Sequence, residues 1–80
     1  MLVNVKLYAT FRKYAPQGTE LGVSFQINLK SDTIKDLIVQ LGISKDIGMI
    51  IMVNGIRVTD LNYKLSSYDL VVIFPILGGG

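Results

Sequence analysis

Eighty residues, half of them hydrophobic and 18% charged, make one domain rich enough in apolar side chains for a core and leave no room for a second domain. The net charge of +2 is thinly spread, with Arg12-Lys13 the only adjacent basic pair, which argues against the basic stripe and stacked aromatics of a nucleic-acid surface. The chain has no cysteine and no histidine, which excludes thiolate nucleophiles, disulfides, Cys/His zinc sites and imidazole acid–base chemistry.

In chain order, Val3, Val5 and Leu7 alternate with Asn4 and Lys6 in the stretch from Leu2 to Ala9, the period of a strand. Thr10 to Ala15 suits a single helical turn, broken by Pro16-Gln17-Gly18. Val23, Phe25, Ile27 and Leu29 alternate with Ser24, Gln26 and Asn28. This predicts a second strand with those four residues on a buried face, joined to the first as a hairpin through a short connection. The period then changes. Ile34, Leu37, Ile38 and Leu41 recur at helical spacing and share one face of a helix from Thr33 to Leu41. Ser31 or Asp32 is the expected N-cap, Asp36 suits the positive end of the helix dipole, and Gly42 suits a left-handed stop over which Ile43 folds back. Asp32 and Asp36 read as capping residues rather than metal ligands.

Met49 to Val53 is too short and too continuous for a helix and reads as a buried strand. Asn54-Gly55 is a two-residue hairpin signal, and Ile56 to Val58 is the return strand. An irregular connection comes next, with Asp60, Asn62, Ser66 and Ser67 as turn formers. Ser66-Ser67 has no base beside it to activate a hydroxyl. Leu70 to Phe74 is apolar throughout and is expected to be a central strand buried on both faces, ended by Pro75. A right-handed crossover through the helix sets a later strand parallel to the first. The expected fold is α+β: a β-grasp, or ubiquitin-like, mixed sheet of four to five strands on one main helix. It occupies residues 1–74, with 75–80 a flexible, glycine-rich tail. The apolar run from Leu70 to Leu77 is broken by Pro75 and is far short of a membrane span. The chain opens on a strand pattern rather than on a basic segment followed by an apolar stretch, so a soluble, cytoplasmic protein without membrane or nucleic-acid partners is expected.

The tail raises a chemical question. Beyond Phe74 it can reach roughly 20 Å when extended. Glycine has no Cβ to collide with a channel wall, yet it loses much entropy when ordered. Gly78, Gly79 and Gly80 therefore suit the threading of a terminal carboxylate into another protein's active site. A carboxylate is a poor electrophile. Transfer of AMP from ATP makes it a mixed anhydride, open to a sulfur nucleophile, which leaves a thiocarboxylate, or to a lysine amine, which leaves an isopeptide bond.

Three stretches carry a resemblance. Residues 5–15, VKLYATFRKYA, resemble the opening strand and the Phe-Ala-x-x-Arg-type segment of the MoaD/ThiS sulfur carriers, with Tyr8, Ala9 and Arg12 in matching places. Residues 53–55, VNG, resemble that family's hairpin. Residues 70–80, LVVIFPILGGG, resemble its typical ending Phe-Pro-Pro-Val-Ala-Gly-Gly, with equal length from Phe to the terminus. The match is closer to the MoaD branch, the small subunit of molybdopterin synthase. The resemblance implies that Gly80 is adenylated by a ubiquitin-activating-type enzyme using ATP and is thiocarboxylated by a sulfur donor system. The large subunit of molybdopterin synthase then uses the sulfur and holds the acid–base groups. It also implies that Phe74, Ile76 and Leu77 dock partners, that Arg12 makes a polar contact, and that no cofactor is stably bound and no metal held. Two departures stand out: Tyr68 where the family usually has glycine, which requires a less strained turn or a positive φ, and Ile76 for the second proline. Alternatives are a modifier conjugated to lysines through Gly80, an interaction module with an inert tail, and a carrier for thiamine thiazole synthesis. Thiazole carriers are usually shorter, so residues 10–21 count against the last.

Overall fold

The alternation at the start of the chain does what it predicts. In the computed structural model, which describes Met1–Ile76, strand β1 (Leu2–Leu7) buries Val3, Val5 and Leu7 and turns Leu2, Asn4 and Lys6 the other way. A short 3-10 helix (Ala9–Tyr14) comes next, then β2 (Phe25–Asn28), helix α1 (Ile34–Leu41), β3 (Met49–Val53), β4 (Ile56–Val58) and β5 (Leu70–Pro75). The five strands form one sheet in the order β2-β1-β5-β3-β4. The central strand β5 runs parallel to β1 and antiparallel to β3, and the β1–β2 and β3–β4 pairs are antiparallel. This is the mixed β-grasp sheet expected from the element order.

Helix α1 supplies the second layer. Ile34, Leu37 and Ile38 are buried against the inward residues Val3, Val5, Ile51, Val53, Val71 and Ile73, and Leu41 packs at the margin. The N-cap is Thr33, not Ser31 or Asp32. Its hydroxyl accepts from the Asp36 N–H at 3.2 Å and donates to Asp36 Oδ2 at 2.5 Å, while the Thr33 N–H donates back to the same carboxylate at 3.4 Å. This reciprocal capping box uses the Thr-x-x-Asp spacing. The Thr33 hydroxyl, as the main cause, holds the Asp36 carboxyl below its ordinary value of 3.8. The irregular connection crosses this end of the helix, where Tyr63 and Leu61 carbonyls accept the Ile34 and Lys35 N–H groups and Leu65 is buried. Two of the donors that a helix start leaves free are thereby satisfied. At the far end Gly42 adopts φ 87°, and Ile43 returns its N–H to the Ile38 carbonyl and buries its side chain, as expected.

Three further expectations change. The β1–β2 connection is not short; it contains the 3-10 helix, whose Phe11 is among the largest fully buried side chains. The second strand begins only at Phe25. Gly22, at φ 78°, turns the chain just before it, and Val23 is left 50% exposed rather than on the buried face. Finally, β5 is not buried on both faces, and it includes Pro75, opposite Met49. Val71 and Ile73 are fully enclosed, whereas Leu70, Val72 and Phe74 are half-buried. Among the described residues, α1 covers one side of the sheet and no helix covers the other.

Candidate protein-docking site

The uncovered side of the sheet is built by strand register. Residues directly paired across strands share a face. Phe74 lies opposite Ile50, and Val72 opposite Met52 on one side and Lys6 on the other. Leu70 lies opposite Asn4, and Arg57 opposite Met52. The outer face is thus an apolar row of Leu70, Val72 and Phe74 widened by Ile50 and Met52, with Lys6 and Arg57 flanking it. None of the five described strands contains an acidic residue. The face is apolar at its centre and basic at its margin, and its complement is an apolar surface rimmed by carboxylates.

The C-terminal segment leaves from one end of this face. Beyond Pro75, the Ile76 N–H points to the Gly48 carbonyl at 3.5 Å, and its side chain lies over Gly48. A methyl group added at Gly48 would stand 3.2 Å from Ile76 Cδ1, so the missing side chain there makes room for Ile76, which is still 51% exposed. Because β1 and β5 are parallel, the 3-10 helix after β1 sits at this same end of the sheet, and it packs against β5. Arg12 is on that helix, but its guanidinium donates to the Thr19 carbonyl at 3.0 Å, which ties down its own loop. Phe74, Ile76 and the 3-10 helix that carries Arg12 therefore lie at the end of the sheet where the chain departs. Leu77, Gly78, Gly79 and Gly80 lie outside the described residues. Among the described residues, no three acidic side chains gather to hold a metal ion.

At the opposite end of β5 the expected hairpin turn has a second role, a side-chain clamp that no local sequence signal announces. Asn54 forms the hairpin turn with Gly55, at φ 51° and 84°. It also clamps the start of β5: its side-chain oxygen accepts from the Leu70 N–H at 2.9 Å and its amide donates to Asp69 Oδ1 at 2.9 Å. Asp69 Oδ2 accepts in turn from the Ser66 N–H at 2.8 Å. Tyr68, within that turn, takes positive φ (68°), the second of the two options expected for a tyrosine in the glycine position.

The ThiS family model matches residues 5–80. Among solved structures, a Pyrococcus furiosus protein assigned as molybdopterin converting factor, subunit 1, superposes with a TM-score of 0.69 at 27% identity, covering 95% of this chain and 98% of that one. SAMP1 of Haloferax volcanii superposes with a TM-score of 0.65 at 20% identity, over 100% of both chains. A Helicobacter pylori complex of subunits 1 and 2 of molybdopterin-converting factor gives a TM-score of 0.63 at 21% identity, over 100% of both chains. These last two likenesses speak for the fold alone. No curated protein sequence matches the chain significantly. With a mixed five-stranded sheet on one helix and a family match from residue 5 to residue 80, the chain belongs to the ThiS family and is a β-grasp protein of the ThiS/MoaD sulfur-carrier type.

Proposed function

We propose that this chain is the small, sulfur-carrying subunit of a molybdopterin synthase, with Gly80 as the group that carries the sulfur. The observation that carries this reading is the family match running through the glycine ending, in a chain that is 27% identical to a molybdopterin converting factor subunit 1. A carboxylate oxygen of Gly80 attacks the α-phosphorus of ATP on a ubiquitin-activating-type enzyme, and pyrophosphate leaves. Sulfide-level sulfur from a donor system then attacks the acyl carbon, AMP leaves, and a thiocarboxylate remains. The synthase large subunit takes up Gly78–Gly80 in a narrow channel, and the thiocarboxylate sulfur is used to build the dithiolene of molybdopterin. Water returns Gly80 to the carboxylate. In this reading Phe74, Ile76 and Leu77 dock the partners, and Arg12 braces the loop beside them. ATP-dependent activation suits a cytoplasmic protein.

The protein modifier remains a second reading, because SAMP1, which shares the fold, is by its name a small archaeal modifier protein. Both share the adenylate and separate at the nucleophile. Tandem mass spectrometry of the tryptic peptide Leu65–Gly80 from protein made in its own host tests them together. That peptide contains no methionine, so oxidation cannot imitate an oxygen-to-sulfur exchange. The expected result is sulfur localised to Gly80. The peptide joined to a lysine supports the modifier. A carboxylate left unchanged by ATP, sulfide and the host's activating enzyme overturns both.

A further inference from the structure

Tyr68 stands in a conformation that suits glycine. The turn Ser66–Asp69 is closed by the Asp69 N–H donating to the Ser66 carbonyl at 3.1 Å, and only its third residue, Tyr68, has positive φ, at 68°. That is the type II pattern, in which glycine or asparagine fits the third position and a bulky side chain is strained by about 1–2 kcal/mol. Tyr68's hydrogen bonds run through its backbone. Its N–H donates to the Leu2 carbonyl at 2.6 Å, and its own carbonyl accepts from Asn4 Nδ2 at 3.2 Å, so a glycine would keep both. The residue is 64% exposed and lies outside the core cluster. The fold strains this residue, and its side chain is no part of the core in return.

Tyr68 also has a defined place relative to the outer face. Its bond to the Leu2 carbonyl sets it at the head of β5, two residues before Leu70, the first residue of the apolar row. We infer that Tyr68 is an anchor for the partner that docks on the outer face, at the end of β5 remote from the tail. The inference rests on the proposed function: the occupant is the synthase large subunit, through an apolar surface whose carboxylates face Lys6 and Arg57. Tyrosine is among the residue types that most often carry the binding energy of an interface. A six-residue strand spans about 20 Å. Held at Tyr68 and at the tail, the partner is fixed along β5, so the tail enters its channel in one register.

The test is calorimetric titration of the full-length carrier with the large subunit from the same organism, alongside melting temperatures and the kinetics of sulfur transfer. Tyr68→Gly and Tyr68→Asn relieve the backbone and remove the ring; Tyr68→Phe keeps the ring. The Gly and Asn variants are expected to melt no lower than the wild type and to bind about tenfold more weakly, with KM raised by the same factor and kcat unchanged. The Phe variant is expected to stay close to the wild type. Wild-type affinity in both Gly and Asn variants overturns the anchor and leaves the proposed function standing. A lower melting temperature in both also overturns it, because the ring then serves the fold. If the wild-type carrier itself fails to bind the large subunit, the proposed function and the anchor fall together.

Discussion

The two faces of the sheet use similar side chains for different ends. Toward α1 stand Val3, Val5, Ile51, Val53, Val71 and Ile73, all within 4% of full burial; away from it stand Ile50, Met52, Leu70, Val72 and Phe74, half-buried, with no helix over them among the described residues. Composition does not distinguish the two sets; the position of the helix does. Fold and docking are therefore separable at neighbouring residues. Val71→Asp and Val72→Asp put the same change one residue apart on β5. At Val71 the carboxylate is enclosed without a partner, and the loss of several kcal/mol is enough to unfold a domain whose total stability is about 4–12 kcal/mol. At Val72 it faces solvent beside Lys6, and stability is expected to fall by no more than about 1 kcal/mol, while affinity for the docked partner is lost. Urea titration and binding measured on the same samples check the contrast. Equal destabilisation by both changes would mean that the outer face also serves the fold.

The same logic applies at the head of β5, where two non-glycine residues hold positive φ. Asn54 offsets its strain with side-chain bonds to the Leu70 N–H and to Asp69; Tyr68 makes only backbone bonds. Replacing each by glycine should therefore act in opposite directions. Asn54→Gly removes two hydrogen bonds and is expected to cost about 1–2 kcal/mol, whereas Tyr68→Gly leaves stability unchanged or raised. Chemical denaturation of the pair decides this, and destabilisation by both would show that the tyrosine ring packs on the fold.

Most of the framework was legible because it depends on local periodicity. Period-two alternation placed β1, helical spacing placed α1, and Asn54-Gly55 placed the hairpin. The misreadings came from what covers what. An all-apolar β5 reads as doubly buried until a single helix is seen to cover one face. Val23 continues an alternating pattern, but Gly22 turns the chain before the pairing starts. Phe11 fits no strand or helix period, yet the 3-10 helix swings it into the core. The Thr33-x-x-Asp36 spacing was present as a capping-box signal, with Ser31 and Asp32 as competing caps just upstream. The candidate site was legible mainly at its glycine ending, through a resemblance; the basic margin of Lys6 and Arg57 emerges only when the register brings distant strands side by side.

The smallest effects belong to the helix side, at the capping box. Thr33→Ala removes the hydroxyl that accepts from the Asp36 N–H, and is expected to cost about 1 kcal/mol with no change in partner affinity, since Thr33 is on neither the outer face nor the tail. The same change should let the Asp36 carboxyl return toward its ordinary value of 3.8, because the Thr33 hydroxyl is the main cause of its depression. The sign of that shift sets the pH dependence. Asp36 titrates lower in the folded chain than in the unfolded one, so its contribution is complete above the unfolded value and is lost as pH falls through the folded one. The stability difference between wild type and Asp36→Asn should thus hold steady above about pH 5 and shrink toward pH 2. In the Thr33→Ala background this acid-linked narrowing should be weaker. Thermal unfolding tracked across that range in the four combinations measures it. A gap that stays constant down to low pH would mean that the carboxylate's charge plays no part in the cap.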